Sequence, residues 1–222
     1  MILYDPQTRE EWLSCRSHGI GGSQAGAAIG RNKYMTNVEL WEIKTHRKRP
    51  PDLSGKPAVE YGKSAEEHIR AIFALDNPQY DINYHEFRMY ANEDNPWLYA
   101  TLDGELTHRE TGEKGVLEIK TATIMNQMQW EEWTDRIPDS YYIQLLHQML
   151  ATGWNFAILR AYIRYYSRDG ELCATVRDFR VDRQDVREDM EMLLEKEKEF
   201  WQCVLDDKRP PLILPTLTPH MT

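Results

Sequence analysis

The spacing of apolar residues along this chain changes from a helical period to a strand period and back. Apolar residues recur three or four positions apart over much of the first 75 residues and again near 139–153 and 183–207, which predicts helices. Alternating or short continuous apolar runs between turn residues predict strands in the regions between. Helices, then strands, a helix, more strands and a closing helix are typical of an α/β sheet core with helical flanks.

Capping and turn residues set the boundaries of these elements. Ser23 is the predicted N-cap of a short helix that begins at Gln24, Thr36 caps the next helix, and Pro50-Pro51 ends it. The other predicted helices cover residues 7–17, 37–47, 58–75, 139–153 and 183–207, and the predicted strands cover 80–91, 97–106, 115–121, 156–167 and 172–181. Asn-Pro, Thr-Gly and Asp-Gly turns separate the strands.

The length of 222 residues suits a single domain with a substantial core. We expect a helical part (1–56), a core that includes the C-terminal helix (57–207) and a proline-rich irregular tail (208–222). The N-terminus is polar from Tyr4 onward, so neither a signal peptide nor contact with a membrane is expected. Cys15, Cys173 and Cys203 lie far apart without metal-ligand spacing, which favours a reduced, cytoplasmic protein.

The formal net charge of −9 argues against a protein that coats nucleic acid uniformly. The charge is uneven, because residues 1–56 carry nine Lys/Arg against six Asp/Glu and the remainder is strongly acidic. The basic run His46-Arg47-Lys48-Arg49 fits a solvated helix C-terminus equally well. Charge therefore neither requires nor excludes a nucleic-acid substrate.

The stretch from Leu98 to Thr121 predicts a hairpin that carries acidic residues on both arms. Side chains alternate on a strand, so Glu118 and Lys120 share one face, and Asp103 approaches it if the arms pair. Two close carboxylates repel each other unless a cation lies between them, and oxygen ligands without His or Cys favour Mg²⁺ or Mn²⁺. Lys120 could then orient or help deprotonate a water and stabilise negative charge on a phosphate. A solvated hairpin with a cross-strand ion pair explains the same charges.

A glycine-rich segment after Arg16 is the second candidate site. A tight turn that leads into a helix at Ser23 exposes amide N–H groups to an anion, and a nearby arginine adds a bidentate donor. A tight turn with an ordinary N-cap explains the glycines equally well.

Five separated stretches together resemble the lambda-exonuclease-like, or YqaJ-type, viral recombinase family within the PD-(D/E)xK nuclease superfamily. In chain order they are WLSCRSHGIGGSQAGAAIG, YMTNVELWEIKT, YGKSAEEHI, YATLDGEL with VLEIKT, and YYIQLLHQMLATG. The resemblance implies an α/β fold with a restriction-endonuclease-like core, in which helices flank a central mixed β-sheet. The order and combination of these stretches are much more specific than any one of them.

The resemblance also implies a role for each matching residue of the acidic site. Asp103 and Glu118 resemble the metal-binding carboxylates, Lys120 resembles the catalytic lysine, and the main-chain carbonyl of Ile119 would face the metal. Glu66 resembles the acid on a helix that completes the site.

The same resemblance assigns substrate contacts, although two neighbouring acids leave alternatives open. Gln144 resembles the catalytic glutamine of a helix over the site, and Gln148 and Tyr141 share its helical face. Arg16 and Ser23 resemble residues that hold the 5′ phosphate of the cut strand. The alternatives are that Glu67 replaces Glu66, or that Glu105 replaces Asp103, and we favour Glu66 and Asp103.

The function that the resemblance implies is a Mg²⁺-dependent exonuclease of phage-type recombination, with Mn²⁺ possible. It would digest double-stranded DNA from a 5′ end to leave 3′ single-stranded tails, in the cytoplasm of a bacterial host. The family further implies a ring-shaped homotrimer and a single-strand annealing protein as partner. An endonuclease of the same superfamily and a non-catalytic module that binds DNA or the annealing protein are the alternatives.

Overall fold

The computed structural model of the chain describes residues 1–134 and 136–214. The last eight residues of the predicted irregular tail therefore lie outside the described residues, and residues 208–214 have no regular secondary structure, as predicted. No helix in the described ranges is long and apolar enough to cross a membrane.

The described elements alternate between helices and strands. The helices are α1 (Arg9–Ser17), α2 (Gly22–Ala28), α3 (Asn37–Lys44), α4 (Pro57–Asp76), α5 (Gln127–Glu131), α6 (Asp139–Thr152) and α7 (Arg187–Leu205). The strands are β1 (Ile2–Tyr4), β2 (Ile20–Gly21), β3 (Tyr80–Asn83), β4 (Met89–Ala91), β5 (Leu98–Ala100), β6 (Gly104–His108), β7 (Lys114–Ile124), β8 (Phe156–Tyr166) and β9 (Leu172–Asp182).

A five-stranded mixed sheet in the order β3-β6-β7-β8-β9 forms the centre of the fold. Strands β7 and β8 are parallel over ten residue pairs, and the other neighbours in this sheet are antiparallel. The chain passes through α6 between β7 and β8, as a crossover between parallel strands requires. The predicted α/β fold with a central mixed sheet flanked by helices is confirmed.

Strand β7 lies in the middle of this sheet, and helices α4 and α6 cover its two faces. Leu117 and Ile119 pack with Ile69 and Phe73 of α4, and residues of the opposite parity belong to the core beneath α6. Glu118 on that second face is therefore only 3% exposed. The alternative of a solvated hairpin does not hold for this face, since α6 covers it.

A second, four-stranded sheet in the order β1-β4-β5-β2 was not expected. Strands β1 and β2 fall within residues 1–56, so that part is not purely helical as predicted. Gly19 allows the chain to approach β5, since a Cβ atom there would lie 2.1 Å from the carbonyl oxygen of Trp97. The predicted strand 97–106 is divided between the two sheets, and residues 101–103 connect β5 to β6. The predicted strand 80–91 is likewise divided into β3 and β4.

Several helix boundaries also differ from the predictions. Helix α2 begins at Gly22 with Gly21 as its N-cap, so Ser23 lies in the first turn and is not the cap. The side chain of Gln24 accepts a hydrogen bond from the N–H of Gly21 at 3.3 Å, which replaces the predicted serine cap. The capping box formed by Thr36 and Glu39 at the start of α3 confirms the other predicted N-cap.

Candidate active site

A cleft of about 650 Å³ lies where α1, α2, α4 and α6 meet residues 118–120 of β7. Its lining combines acidic, basic, amide and aromatic side chains. The lining residues are Arg9, Trp12, Arg16, Gly21, Gly22, Ser23, Lys63, Glu66, Tyr84, Glu86, Phe87, Thr101, Leu102, Asp103, Glu118, Ile119, Lys120, Gln144 and Gln148. Nine of the ten predicted site residues therefore line one cleft.

Asp103 is held against β7 at the point where the β6–β7 ladder ends. The last paired residues are Gly104 and Leu117, and beyond them the N–H of Ile119 donates to Oδ2 of Asp103 at 2.8 Å. The N–H and C=O of a strand residue point to the same side, so the carbonyl of Ile119 also faces Asp103. On the other side, Arg70 Nε donates to the main-chain oxygen of Asp103 at 2.6 Å.

Glu118 is buried beneath α6 with three donors on its two oxygens. Oε1 lies 2.6 Å from Lys120 Nζ and accepts from Gln144 Nε2 at 2.6 Å. Oε2 accepts from Gln148 Nε2, also at 2.6 Å. The two glutamines are one helical turn apart, which places both amides over the same carboxylate. The carboxylate is consequently fixed in position before any ligand binds.

Glu66 reaches the cleft from α4. Burial raises the pKa of Glu66, and the nearby Glu118 raises it further, while Lys120 opposes the shift. The adjacent Glu67 is exposed and does not line the cleft, because it points away from α4's buried face. Glu66, and not Glu67, is therefore the acid of α4 that lies with the other carboxylates of the cleft.

The competing acid Glu105 is oriented away from this cleft. The hydroxyl of Tyr90 donates to Glu105, and Arg88 and His85 lie 3.6 Å from the same oxygen. Glu105 thus belongs to a separate cluster, and Asp103, in the connection that precedes β6, is the acid that reaches the cleft.

Burial and the proximity of like charges shift the pKa values of the acidic residues in the cleft. Burial, Glu118 and Glu66 together raise the pKa of Asp103 well above its usual value. Burial disfavours the charge on Lys120, but Glu118 and Asp103 outweigh it and raise the pKa of Lys120. The lysine is therefore an ammonium at neutral pH, and it only partly compensates three neighbouring acids.

The remaining predicted substrate residues lie around the rim. Arg16 stacks over Trp12, with its Cζ atom 4.2 Å from the ring centroid. The exposed Ser23, in the first turn of α2, lines the same cleft. Tyr141 does not line the cleft but lies behind it, with Lys120 Nζ 5.3 Å from its ring centroid. Its ring packs against Trp133.

Comparison with known proteins places this arrangement in a family. The family model described as "YqaJ-like viral recombinase domain" matches residues 11–155, which include every acidic residue and both glutamines of the cleft. The chain belongs to the family of YqaJ-like viral recombinase domains. The predicted resemblance is thereby confirmed.

A curated relative and solved structures agree with this YqaJ-like assignment. The uncharacterized protein YqaJ of Bacillus subtilis (strain 168) is 29% identical over 211 residues, which are 92% of this chain and 59% of the relative. The chain thus spans about three-fifths of the length of that relative.

Solved exonuclease structures share the fold of this YqaJ-like domain at low sequence identity. The alkaline exonuclease LHK-Exo from Laribacter hongkongensis has a TM-score of 0.63 at 18% identity, with 89% of this chain and 93% of that chain covered. Its complex with dAMP gives 0.62 at the same identity and coverage. A phage related exonuclease from Haemophilus somnus 129PT gives 0.52 at 9% identity, covering 85% and 96%. These likenesses show that the chain shares the fold of these exonucleases.

The YqaJ-like cleft offers suitable atoms for a hard cation, although they are not yet arranged around one. In residues 1–134 and 136–214, no three Asp, Glu, His or Cys side chains are positioned to hold a metal ion as they stand. Both oxygens of Glu118 already accept hydrogen bonds, and the ammonium of Lys120 lies beside one of them. The all-oxygen donors and the mutual repulsion of the three carboxylates nevertheless fit Mg²⁺ or Mn²⁺.

Some residues of this YqaJ-like site were missed in the sequence. Arg70, which anchors the backbone of Asp103, lies one helical turn after Glu66, so its spacing on α4 could have identified it. Tyr84 and Phe87 line the cleft from the irregular connection between β3 and β4, and no periodic signal marks them.

Proposed function

We propose that this YqaJ-like domain is a divalent-metal-dependent DNA exonuclease that digests duplex DNA from a 5′ end and leaves 3′ single-stranded tails. The observation that carries the proposal is the convergence of Asp103, Glu118 and Glu66 beside Lys120 in one cleft. Acids that crowd in this way are unfavourable without a cation, and the fold of alkaline exonucleases supports the reaction class.

Asp103, Glu118, Glu66 and the main-chain carbonyl of Ile119 are the groups that would hold the metal, Mg²⁺ in the first instance and Mn²⁺ as the alternative. When bound, the metal supplies Lewis-acid stabilisation of the phosphate and lowers the pKa of a water nucleophile. The chain's contribution is to fix these oxygens. The N–H of Ile119 orients Asp103, and the amides of Gln144 and Gln148 orient Glu118.

Lys120 acts in this proposal as a positive charge and a hydrogen-bond donor. Burial opposes the charge on Lys120, but Glu118 and Asp103 outweigh it and raise its pKa, so the side chain is an ammonium when no metal is bound. Its three N–H groups can orient the attacking water and stabilise the negative charge that develops on the scissile phosphate. The aromatic ring of Tyr141 lies behind Lys120 and limits the positions that the ammonium can occupy.

Arg16 and Ser23 are the proposed contacts of the terminal 5′ phosphate, and Gln148 of α6 lines the same cleft. The expected DNA contact of Tyr141 is not part of the proposal, because that ring lies behind the cleft. Arg16 presents a guanidinium at the rim, and Arg9 and Lys63 add two further cations to the same cleft. Contacts of this kind are made to the phosphate backbone, so binding should be salt-sensitive and largely independent of sequence.

Three further parts of the proposal are supported by the family resemblance alone. They are a homotrimer that encloses the DNA, a single-strand annealing protein as partner, and action in the cytoplasm of a bacterial host during phage-type recombination. An acidic protein with its basic side chains gathered in a channel would reconcile the net charge of −9 with a DNA substrate.

The proposal is tested with a linear duplex and a covalently closed circle of the same sequence, each with Mg²⁺ and with chelator. We expect metal-dependent loss of the 5′-phosphorylated strand of the linear DNA and an intact circle. A nicked or linearised circle would assign an endonuclease. DNA that is bound but left intact with either Mg²⁺ or Mn²⁺ would assign a binding module.

A further inference from the structure

Lys44 is a buried lysine without a carboxylate partner, directly behind the proposed phosphate contact. It is the last residue of α3 and is 7% exposed. Within the described ranges, no carboxylate oxygen lies within 4.0 Å of its Nζ atom. Burial of a lysine without a counterion is costly, because its charged form loses its hydration.

Among the described residues, the side-chain amine of Lys44 has a single polar contact, which is with the main chain of Arg16. Nζ donates to the carbonyl oxygen of Arg16 at 3.0 Å, and the hydroxyl of Tyr99 donates to the same oxygen at 2.9 Å. Arg16 is in the last turn of α1, where carbonyl groups lack partners within the helix. Two side chains from other elements thus fix the residue whose guanidinium faces the cleft.

The charges around Lys44 are all of one sign. Burial, and secondly the charge of Arg16, lower the pKa of Lys44 to about 7. Helix α2, which packs against α3, carries no charged side chain, and β5 contributes the phenol of Tyr99. Helix α7 also packs against α3, but it does so through the apolar residues Phe200 and Trp201. Burial raises the pKa of that phenol to about 12, so it remains a neutral donor. The neighbouring Lys48 differs, because Glu39 pairs with it at 2.9 Å.

We propose that Lys44 is a positioning residue of the Arg16 phosphate subsite, which holds the end of α1 in place and takes up a proton when a terminal phosphate binds. The inference rests on the proposed function, since it assumes that Arg16 meets a phosphate. An anion beside Arg16 supplies the negative charge that the pair of cations lacks. By linkage, proton uptake by Lys44 and phosphate binding then strengthen each other.

The test measures binding of a duplex with one accessible end, carrying either a 5′ phosphate or a 5′ hydroxyl, to the full chain in chelator. The ratio of the two affinities isolates the terminal phosphate, which stays dianionic from pH 7.5 to 9. We expect the wild-type ratio to favour the phosphate. It should fall across this range by roughly threefold if binding raises the pKa of Lys44 by one unit.

Two variants separate the charge of Lys44 from its contact with Arg16. Lys44→Met keeps the length of the side chain and should lose both the phosphate preference and its pH dependence. Tyr99→Phe removes the other donor and should weaken the preference while its pH dependence persists. Lys48→Met is the matched control, because Lys48 is exposed near the same end of α3, and it should behave as wild type.

Each outcome of this test is decisive. An unchanged preference and pH profile in Lys44→Met would overturn the inference and leave the nuclease intact. A wild-type protein that cleaves linear DNA with Mg²⁺ but shows no phosphate preference would also overturn it. Absence of any metal-dependent cleavage by the wild type would instead show that the proposed function has failed, and the inference with it.

Discussion

The ammonium of Lys120 lies 2.6 Å from the carboxylate of Glu118, and that carboxylate is only 3% exposed. The two residues are separated by one position on β7 and so share a face of the central sheet. Helix α6 covers that face and adds two amide donors. The pair is therefore a buried, fully oriented ion pair at the floor of an open cleft, which is the setting in which a fixed charge acts most strongly.

Replacement of this lysine should separate chemistry from binding. We expect Lys120→Ala to reduce the rate of DNA cleavage by at least about a hundredfold, because a fixed positive charge beside the phosphate is lost. DNA binding and metal binding should persist, since the carboxylates remain. Single-turnover cleavage and a separate binding titration in chelator measure the two effects. The matched control is Lys114→Ala, at the exposed start of the same strand, and equal losses in both variants would contradict the assignment.

Neighbouring glutamates on α4 give a second matched comparison. Glu66→Gln should strongly reduce metal-dependent cleavage and raise the Mg²⁺ concentration needed for half-maximal activity, because a cleft acid is neutralised. Glu67→Gln should retain both properties of the wild type, since that side chain is exposed outside the cleft. Mg²⁺ titrations of both variants would exclude our choice of acid if Glu67→Gln were the defective one.

Asp103→Asn should stabilise the metal-free protein while it abolishes stabilisation by metal. Repulsion from Glu118 and Glu66 opposes ionisation of Asp103, and an amide relieves it while its oxygen still accepts from Ile119. A gain of about 1 kcal/mol would raise the melting temperature by roughly 2–4 °C. Added Mg²⁺ should raise the melting temperature of the wild type only. Equal Mg²⁺ shifts in both proteins would place the metal elsewhere.

The buried pair formed by His147 and Glu197 should make stability depend on pH. Burial opposes the charge on His147, but Glu197 and the carbonyl of Tyr99 outweigh it and raise its pKa. A raised folded-state pKa gives stability that is complete below the unfolded value near 6.5 and is lost as pH rises through the folded-state value. Denaturant unfolding of the wild type between pH 6 and 9 should show this loss.

Removal of the carboxylate tests the same pair directly. Glu197→Gln should lower the free energy of unfolding at pH 6 by about 3 kcal/mol, because a buried charge loses its partner, and should flatten the pH dependence. Glu195→Gln is the control, since Glu195 is exposed on the same helix and pairs with the exposed Lys198. An unchanged pH profile in Glu197→Gln would mean that the imidazole is neutral throughout.

The acidic part of the site was predictable because alternation along β7 is a local property. Asp103, Glu118 and Lys120 could be read from two short arms of a hairpin. Gln144 was predicted from the family resemblance, and helical spacing then placed Gln148 on the same face. The burial of Glu118 could not be predicted, since it depends on α6 crossing a central strand, which no pattern within β7 records. The second sheet was missed because β2 has only two residues and pairs with a strand distant in sequence. Lys44 was missed because a lysine at a helix end gives no sign of burial.

The most direct test of the account uses the two acids on either side of Gly104. Cleavage of a linear duplex with Mg²⁺ is compared for the wild type, Asp103→Asn and Glu105→Gln, with thermal unfolding to confirm that each variant is folded. Glu105 is bound to Tyr90 outside the cleft, so we predict that Glu105→Gln cleaves and that Asp103→Asn loses more than about a hundredfold in rate. Near-normal cleavage by Asp103→Asn would contradict the claim that this cleft is a metal-dependent nuclease site.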